Sequence, residues 1–220
     1  MNKNNNIIKF YVLANKLKEV IRKGWMDVEI KKERLESVAE HIYGCLMLAI
    51  AIDSEYDLNL DMYKVLKMIS LHELEEIIMS DITIVNRSLD KITKENKLEY
   101  GKECVHKVVK GLSSASEIEK LIDEFNERKT KEACFCYHID KIECDFQAKM
   151  YDLEGAFDYD KAYDDSEYYG DRKESIRDIA KTSSDFWIEY DRPKYDDDKL
   201  FKNLIEDIKS INTLFNNENI

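Results

Sequence analysis

Apolar positions recur at intervals of three and four along most of this chain, the spacing of one face of an α-helix. Between residues 7 and 22 they fall at Ile8, Tyr11, Val12, Leu17, Val20 and Ile21, which predicts a first helix. Gly24-Trp25 interrupts the pattern, and 26–36 reads as a charged connection. Ser37 and Glu40 then form an S-x-x-E capping box, in which each side chain satisfies the other residue's backbone N–H. The box stands directly before an apolar run, so a second helix is expected from Ser37 to about Ile52, with His41 in its first turn or just beyond. Asp61 can cap a third helix, whose buried stripe is Val65, Leu66, Met68 and Ile69 and whose end carries His72. Further helices are predicted over about 97–112, 116–128 and 131–153, with Ser113, Ser114 and Ser116 offering the cap between the first two of these. Gly155 to Glu174 is acidic, tyrosine-rich and without a period, which reads as a long surface loop. A helix near 174–190 follows, Arg192-Pro193 ends it, and a last helix spans about 198–215.

Composition sharpens this into an all-α helical bundle. Six glycines and one proline leave few turn signals in 220 residues, which favours long helices over a many-stranded sheet. No internal repeat and no linker interrupts residues 1–220, so a single domain is expected. A net charge of −12 repels a nucleic-acid backbone over most of the surface, although one nucleotide could still be met by a few local cations. Five cysteines in no regular framework suit a reducing compartment. Met1 to Asn6 lacks the pattern of a secretory leader, and the longest apolar stretch, Cys45 to Ile52, is too short to span a bilayer. A cytoplasmic protein without membrane contact is expected.

Candidate chemistry gathers at two histidines and a downstream aspartate. His72, Glu73 and Glu76 are the densest cluster, and on a continuous helix His72 and Glu76 would share a face. His72 follows the stripe of the third helix, where partial burial is expected and a buried imidazole wants a partner. His41 alone also reads as a first-turn surface residue, and Asp140 alone as a helix-surface carboxylate. Asp140, however, falls among Cys134, Phe135, Ile139, Ile142 and Phe146, where an unpaired carboxylate is costly. Imidazole and carboxylate ligands together suit a divalent transition metal, which generates a hydroxide-like nucleophile near neutral pH. Cys134-x-Cys136-x-His138 hints at zinc, but residues two apart diverge on a helix, so core cysteines are the better reading. His106 reads as a packed or edge residue. A phosphate-binding glycine loop and a G-x-S-x-G elbow are both absent from the sequence.

The order R-x-E-S-V-x-E-H ending at His41, then H-E-x-x-E with an aspartate five residues on, then a helical Asp, resembles the HD-domain phosphohydrolases. The similarity is to their 5′-deoxynucleotidase branch, described as HD-domain-containing 2, and spans about residues 10–190. It implies an HD-domain helical bundle in which His41, His72, Glu73 and Asp140 hold a divalent metal ion (Mn, Co, Mg, Fe or Zn). It further implies Glu76 and Asp81 as catalytic residues, and Arg34 and Trp25 as substrate contacts. Ile139-Asp140-Lys141 followed by Gln147-Ala148 echoes a further segment of the family. Glu73 stands where the family has Asp, and Ser80 where it has Gly.

The activity so implied is removal of the 5′-phosphate from deoxynucleoside monophosphates. Alternatives are hydrolysis of deoxynucleoside triphosphates on the same fold, or a nucleotide-binding protein that keeps the fold without the reaction. A homodimer is also expected. The branch is typically dimeric, and Ile176, Ile179, Phe186, Trp187, Leu200, Phe201, Leu204, Ile208, Ile211 and Phe215 exceed what a small helical core clearly needs.

Overall fold

The computed structural model describes residues 2–81, 94–158 and 170–214, and among these it is helical without a strand. The helices are α1 (Lys3–Ala14), α2 (Lys23–Asp27), α3 (Val38–Glu55), α4 (Met62–Leu71), α5 (Glu76–Met79) and α6 (Lys94–Val109). There follow α7 (Ala115–Glu127), α8 (Lys131–Leu153), α9 (Lys173–Arg177), α10 (Ser183–Asp191) and α11 (Lys199–Ser210).

Local chemistry sets most of the boundaries. Ser37 and Glu40 form the anticipated box at the start of α3, with Ser37 N–H donating to Glu40 Oε2 at 2.9 Å and Glu40 N–H to Ser37 Oγ at 3.3 Å. Asp61 caps α4 by accepting from Lys64 N–H at 3.1 Å. Ser114 occupies the N-cap of α7, without a side-chain capping bond. α8 spans the expected 131–153.

Several elements differ from the sequence pattern. The first helix stops at Ala14 and tightens into a 3₁₀ turn over Asn15–Lys18. Gly24-Trp25 does not break a helix but lies inside the short α2. The helix expected near 174–190 is two, α9 and α10, because Thr182 and Asp185 form a second capping box that restarts the chain. The final helix ends at Ser210, and Phe215 lies outside the described residues. Most of the expected 155–174 loop does so too.

Residues within Met1–Lys23 and Glu36–Ile139 pack as one compact unit, and those within Gly24–Leu35 and Asp140–Ile220 as a second. The first unit closes its core with Leu17, Val38, Leu74, Ile77, Val105, Val108, Ile118 and Ile122. An isolated antiparallel bridge between Ile21 and Ser37 ties its N-terminal segment to the start of α3. The second unit packs α9 on α10 and α10 on α11 around Phe186, Ile188, Tyr195, Phe201 and Ile205, all buried. Of the apolar residues that pointed to a dimer, Ile176, Phe186, Trp187, Phe201 and Ile208 are buried within this unit, while Ile179 is exposed.

Candidate metal centre

α3 and α4 pack against each other in the first unit, which sets the buried rings of His41 and His72 5.6 Å apart. α4 does not run on through Glu76 as a single helix. It ends at Leu71, a turn takes up 72–75, and α5 begins at Glu76. The cause is local. The ring nitrogen Nδ1 of His72 lies 2.7 Å from the Ile69 carbonyl, the acceptor that residue 73 would bond in a continuing helix.

A carbonyl only accepts, so Nδ1 carries the proton and Nε2 presents its lone pair. The turn also swings Glu73 inward. Its Oε1 lies 3.5 Å from His72 Nε2 and 3.9 Å from His41 Nε2. Ligand atoms sharing one tetrahedral ion sit about 3.3 to 3.6 Å apart, given bonds of about 2.0 to 2.3 Å. Two imidazoles and a carboxylate therefore already stand near the spacing a cation imposes, and the donor set fits a divalent transition metal.

Glu76 is buried beside this group, and its Oε2 has no hydrogen-bond partner among the described residues. Burial pushes its carboxyl well above the ordinary value of 4.5, and the nearby carboxylates of Glu73 and Asp81 push the same way, against Arg22 and Lys97. Burial thus favours the protonated form of Glu76. Asp81 serves as a tether, its Oδ2 accepting from the Lys23 backbone N–H at 2.7 Å. It follows Ser80, whose φ of 61° and ψ of 172° fall in a region nearly reserved for glycine.

Arg22 was not anticipated. Its Nη1 lies 3.4 Å from Glu73 Oε1, and its backbone N–H donates to the Glu36 carbonyl at 2.9 Å. Periodicity could not have found it, since Arg22 acts from the short bridged segment rather than from a helix face.

Arg34 and Trp25 belong to the second unit. Arg34 is exposed. Trp25 is only 1% exposed, with its ring centroid 4.7 Å from that of Trp187 and 5.4 Å from that of Tyr151. Asp140 begins the second unit on α8, buried, with Oδ2 2.6 Å from Lys141 Nζ. Cys134 and Cys136 direct their sulfurs to different carbonyls, of Arg128 at 3.1 Å and Val65 at 3.7 Å; Cys136 is a core thiol, whereas Cys134 is half-buried rather than core as expected. His106 is exposed and lies 2.8 Å from Glu119 Oε1.

A chain whose described residues are helical and that converges two imidazoles on a carboxylate, with a buried glutamate beside them, has the equipment of a metal-dependent hydrolase. Comparison with known proteins agrees. The family described as "HD domain" matches residues 14–184. A Dictyostelium discoideum protein named 5′-deoxynucleotidase HDDC2 is 32% identical over 156 residues, covering 68% of this chain and 79% of its own. The Danio rerio protein of the same name is 30% identical, over 68% of this chain and 72% of its own. A conserved hypothetical protein from Pyrococcus furiosus shares the fold at a TM-score of 0.67 and 25% identity, over 93% of this chain and 99% of its own. The chain belongs to the HD-domain family of phosphohydrolases.

Proposed function

We propose that this protein is a 5′-deoxynucleotidase, releasing phosphate from deoxynucleoside 5′-monophosphates. The observation that carries the reading is Glu73 Oε1 standing between the imidazoles of His41 and His72. The name borne by its relatives supports the substrate class. His41, His72, Glu73 and Asp140 would hold a divalent cation, the last by the sequence pattern of the family. Such a cation polarises a phosphoryl oxygen and lowers the pKa of an attacking water.

The chain's own residues do the rest. Burial favours the protonated form of Glu76, which suits that carboxyl to give a proton to the departing 5′-oxygen. The Arg22 guanidinium, beside Glu73, can engage phosphate oxygens in a two-pronged contact, and Arg34 offers a second cation. Asp81 fixes the segment that carries Arg22. Trp25, covered by Trp187 and Tyr151, anchors the 24–35 segment that bears Arg34.

A homodimer is part of the same reading. Ile7, Ile8, Tyr11 and Val12 on α1 are each more than half exposed, an apolar stripe that suits a second copy. Five free cysteines accord with a cytoplasmic setting, and no described helix is long and apolar enough to cross a membrane.

Metal analysis of the purified protein tests this, followed by product analysis with deoxynucleotide mono- and triphosphates in Mn²⁺, Co²⁺ or Mg²⁺. Inorganic phosphate from monophosphates is expected. Triphosphate released from deoxynucleoside triphosphates would move the activity to that class, and bound metal with no hydrolysis would leave a binding protein. Light scattering should give twice the 26.0 kDa chain mass.

A further inference from the structure

Lys141 pairs with its immediate neighbour on α8: its Nζ lies 2.6 Å from Asp140 Oδ2. Consecutive helical residues point about 100° apart and do not face each other, so the lysine stem must bend around the helix to make this contact. Helical spacing offers Lys141 a different acid, Asp145, one turn further along its own face. That carboxyl is already engaged, because the Tyr195 hydroxyl donates to its Oδ2 at 2.6 Å. Burial, and after it Asp191, also favours the neutral form of Asp145. Asp191 has a cation of its own in Lys194, whose Nζ is 2.5 Å from Oδ1. Lys141 thus turns to Asp140, a buried carboxylate on a stretch where Ile139 and Ile142 are fully buried too.

We propose that Lys141 is a positioning residue for the metal centre, holding the Asp140 carboxylate by one oxygen so that it meets a divalent cation in a fixed orientation. This rests on the reading above in which Asp140 is a ligand, and extends it. A carboxylate has two oxygens, so one held by an ammonium leaves the other for an ion. A ligand that is hydrogen-bonded on its outer side is already oriented and loses less freedom when the ion arrives. Lysine supplies this hold as a compact charge on a flexible stem, so the charge matters more than the shape of the donor. Arginine at the same position should therefore preserve most of the effect, and an uncharged side chain of similar length should not.

The test is titration of the metal-stripped protein with Co²⁺, followed by its visible absorption, in wild type, Lys141→Met, Lys141→Arg and Asp140→Ala. Lys141→Met should weaken Co²⁺ binding by about 10- to 100-fold, the scale on which metal sites answer to a lost supporting group. The visible band of the Co²⁺ that it does bind should shift, because the ligand has lost its orientation. Lys141→Arg should recover most of the affinity and the wild-type band. Circular dichroism and thermal unfolding without metal check that each variant is folded, and Lys141→Gln takes the place of the methionine variant if that one is not. A lower metal-free melting temperature with unaltered Co²⁺ affinity and band would overturn the proposal and make the pair merely structural. Tighter binding in Lys141→Met would also overturn it, showing that the ammonium competes with the ion. So would an arginine variant as weak as the methionine one. Wild-type affinity in Asp140→Ala would remove Asp140 from the ligands, and failure of wild type to bind Co²⁺ would remove the metal centre itself.

Discussion

The backbone N–H of Lys23 donates to the Asp81 carboxylate at 2.7 Å, joining the chain just after the Ile21–Ser37 bridge to the residue that follows Ser80. The bond depends on Ser80, which holds φ at 61° to turn the chain. A side chain there is strained, so Ser80→Gly should stabilise the protein by about 1 kcal/mol. Asp81→Ala should act in the other direction by about 1 to 3 kcal/mol, because it removes a charged acceptor. Thermal and denaturant unfolding of the two variants measure both.

His72→Ala removes one imidazole and leaves the surrounding apolar core in place. Bound metal should fall to near zero and phosphate release by at least about 100-fold, while helicity is kept. Metal content by atomic spectroscopy, with circular dichroism as the control, checks this. Full activity in that variant would sink the assignment.

Glu73→Asp withdraws the carboxylate from two imidazoles that it now reaches at 3.5 and 3.9 Å. The expected result is a changed order of metal preference or turnover, with an unaltered melting temperature. Competition between Mn²⁺, Co²⁺ and Zn²⁺ reads it directly.

Glu76→Gln separates proton transfer from metal holding. Metal should remain, and turnover should drop by about 100- to 10,000-fold. The same variant reports on pH. Burial raises the folded-state pKa of Glu76 above its ordinary 4.5, so the neutral form is the one that folding favours. Its stabilising contribution is full below the ordinary value and is lost as pH rises through the raised one. The stability of wild type relative to Glu76→Gln should therefore fall across that window and level off above it, as unfolding curves taken from acid to alkaline pH would show.

In the second unit Tyr195 donates from its hydroxyl to Asp145 Oδ2 at 2.6 Å, and both residues are fully buried. Burial, with Asp191 nearby, holds the Asp145 carboxyl well above the usual carboxylate range, and the Tyr195 hydrogen bond opposes that rise. Tyr195→Phe should cost about 1 to 3 kcal/mol by leaving that oxygen without its donor. Denaturant unfolding is the check.

Sequence alone determined the helices that carry their own signals. The Ser37–Glu40 box, the Asp61 cap and the unbroken period of 131–153 are local, so α3, α4 and α8 were legible from residue order. The candidate residues of the site were legible through the order R-x-E-S-V-x-E-H, then H-E-x-x-E, then a helical Asp, which resembles the HD-domain pattern; their spacing alone left each with an ordinary surface reading. Only the tertiary structure decided how those residues meet. The His72 ring ended α4 by taking the Ile69 carbonyl, which turned Glu73 toward two imidazoles and left Glu76 on a helix of its own. Arg22 reached Glu73 through a bridged segment, which has no periodic signature. The helix-ending bond is local, but whether it forms depends on burial, and burial is set by neighbours distant in the chain. The C-terminal apolar residues make the same point: their pattern marked an apolar face, and packing within the second unit decided that Ile176, Phe186, Trp187, Phe201 and Ile208 are core while Ile179 is exposed.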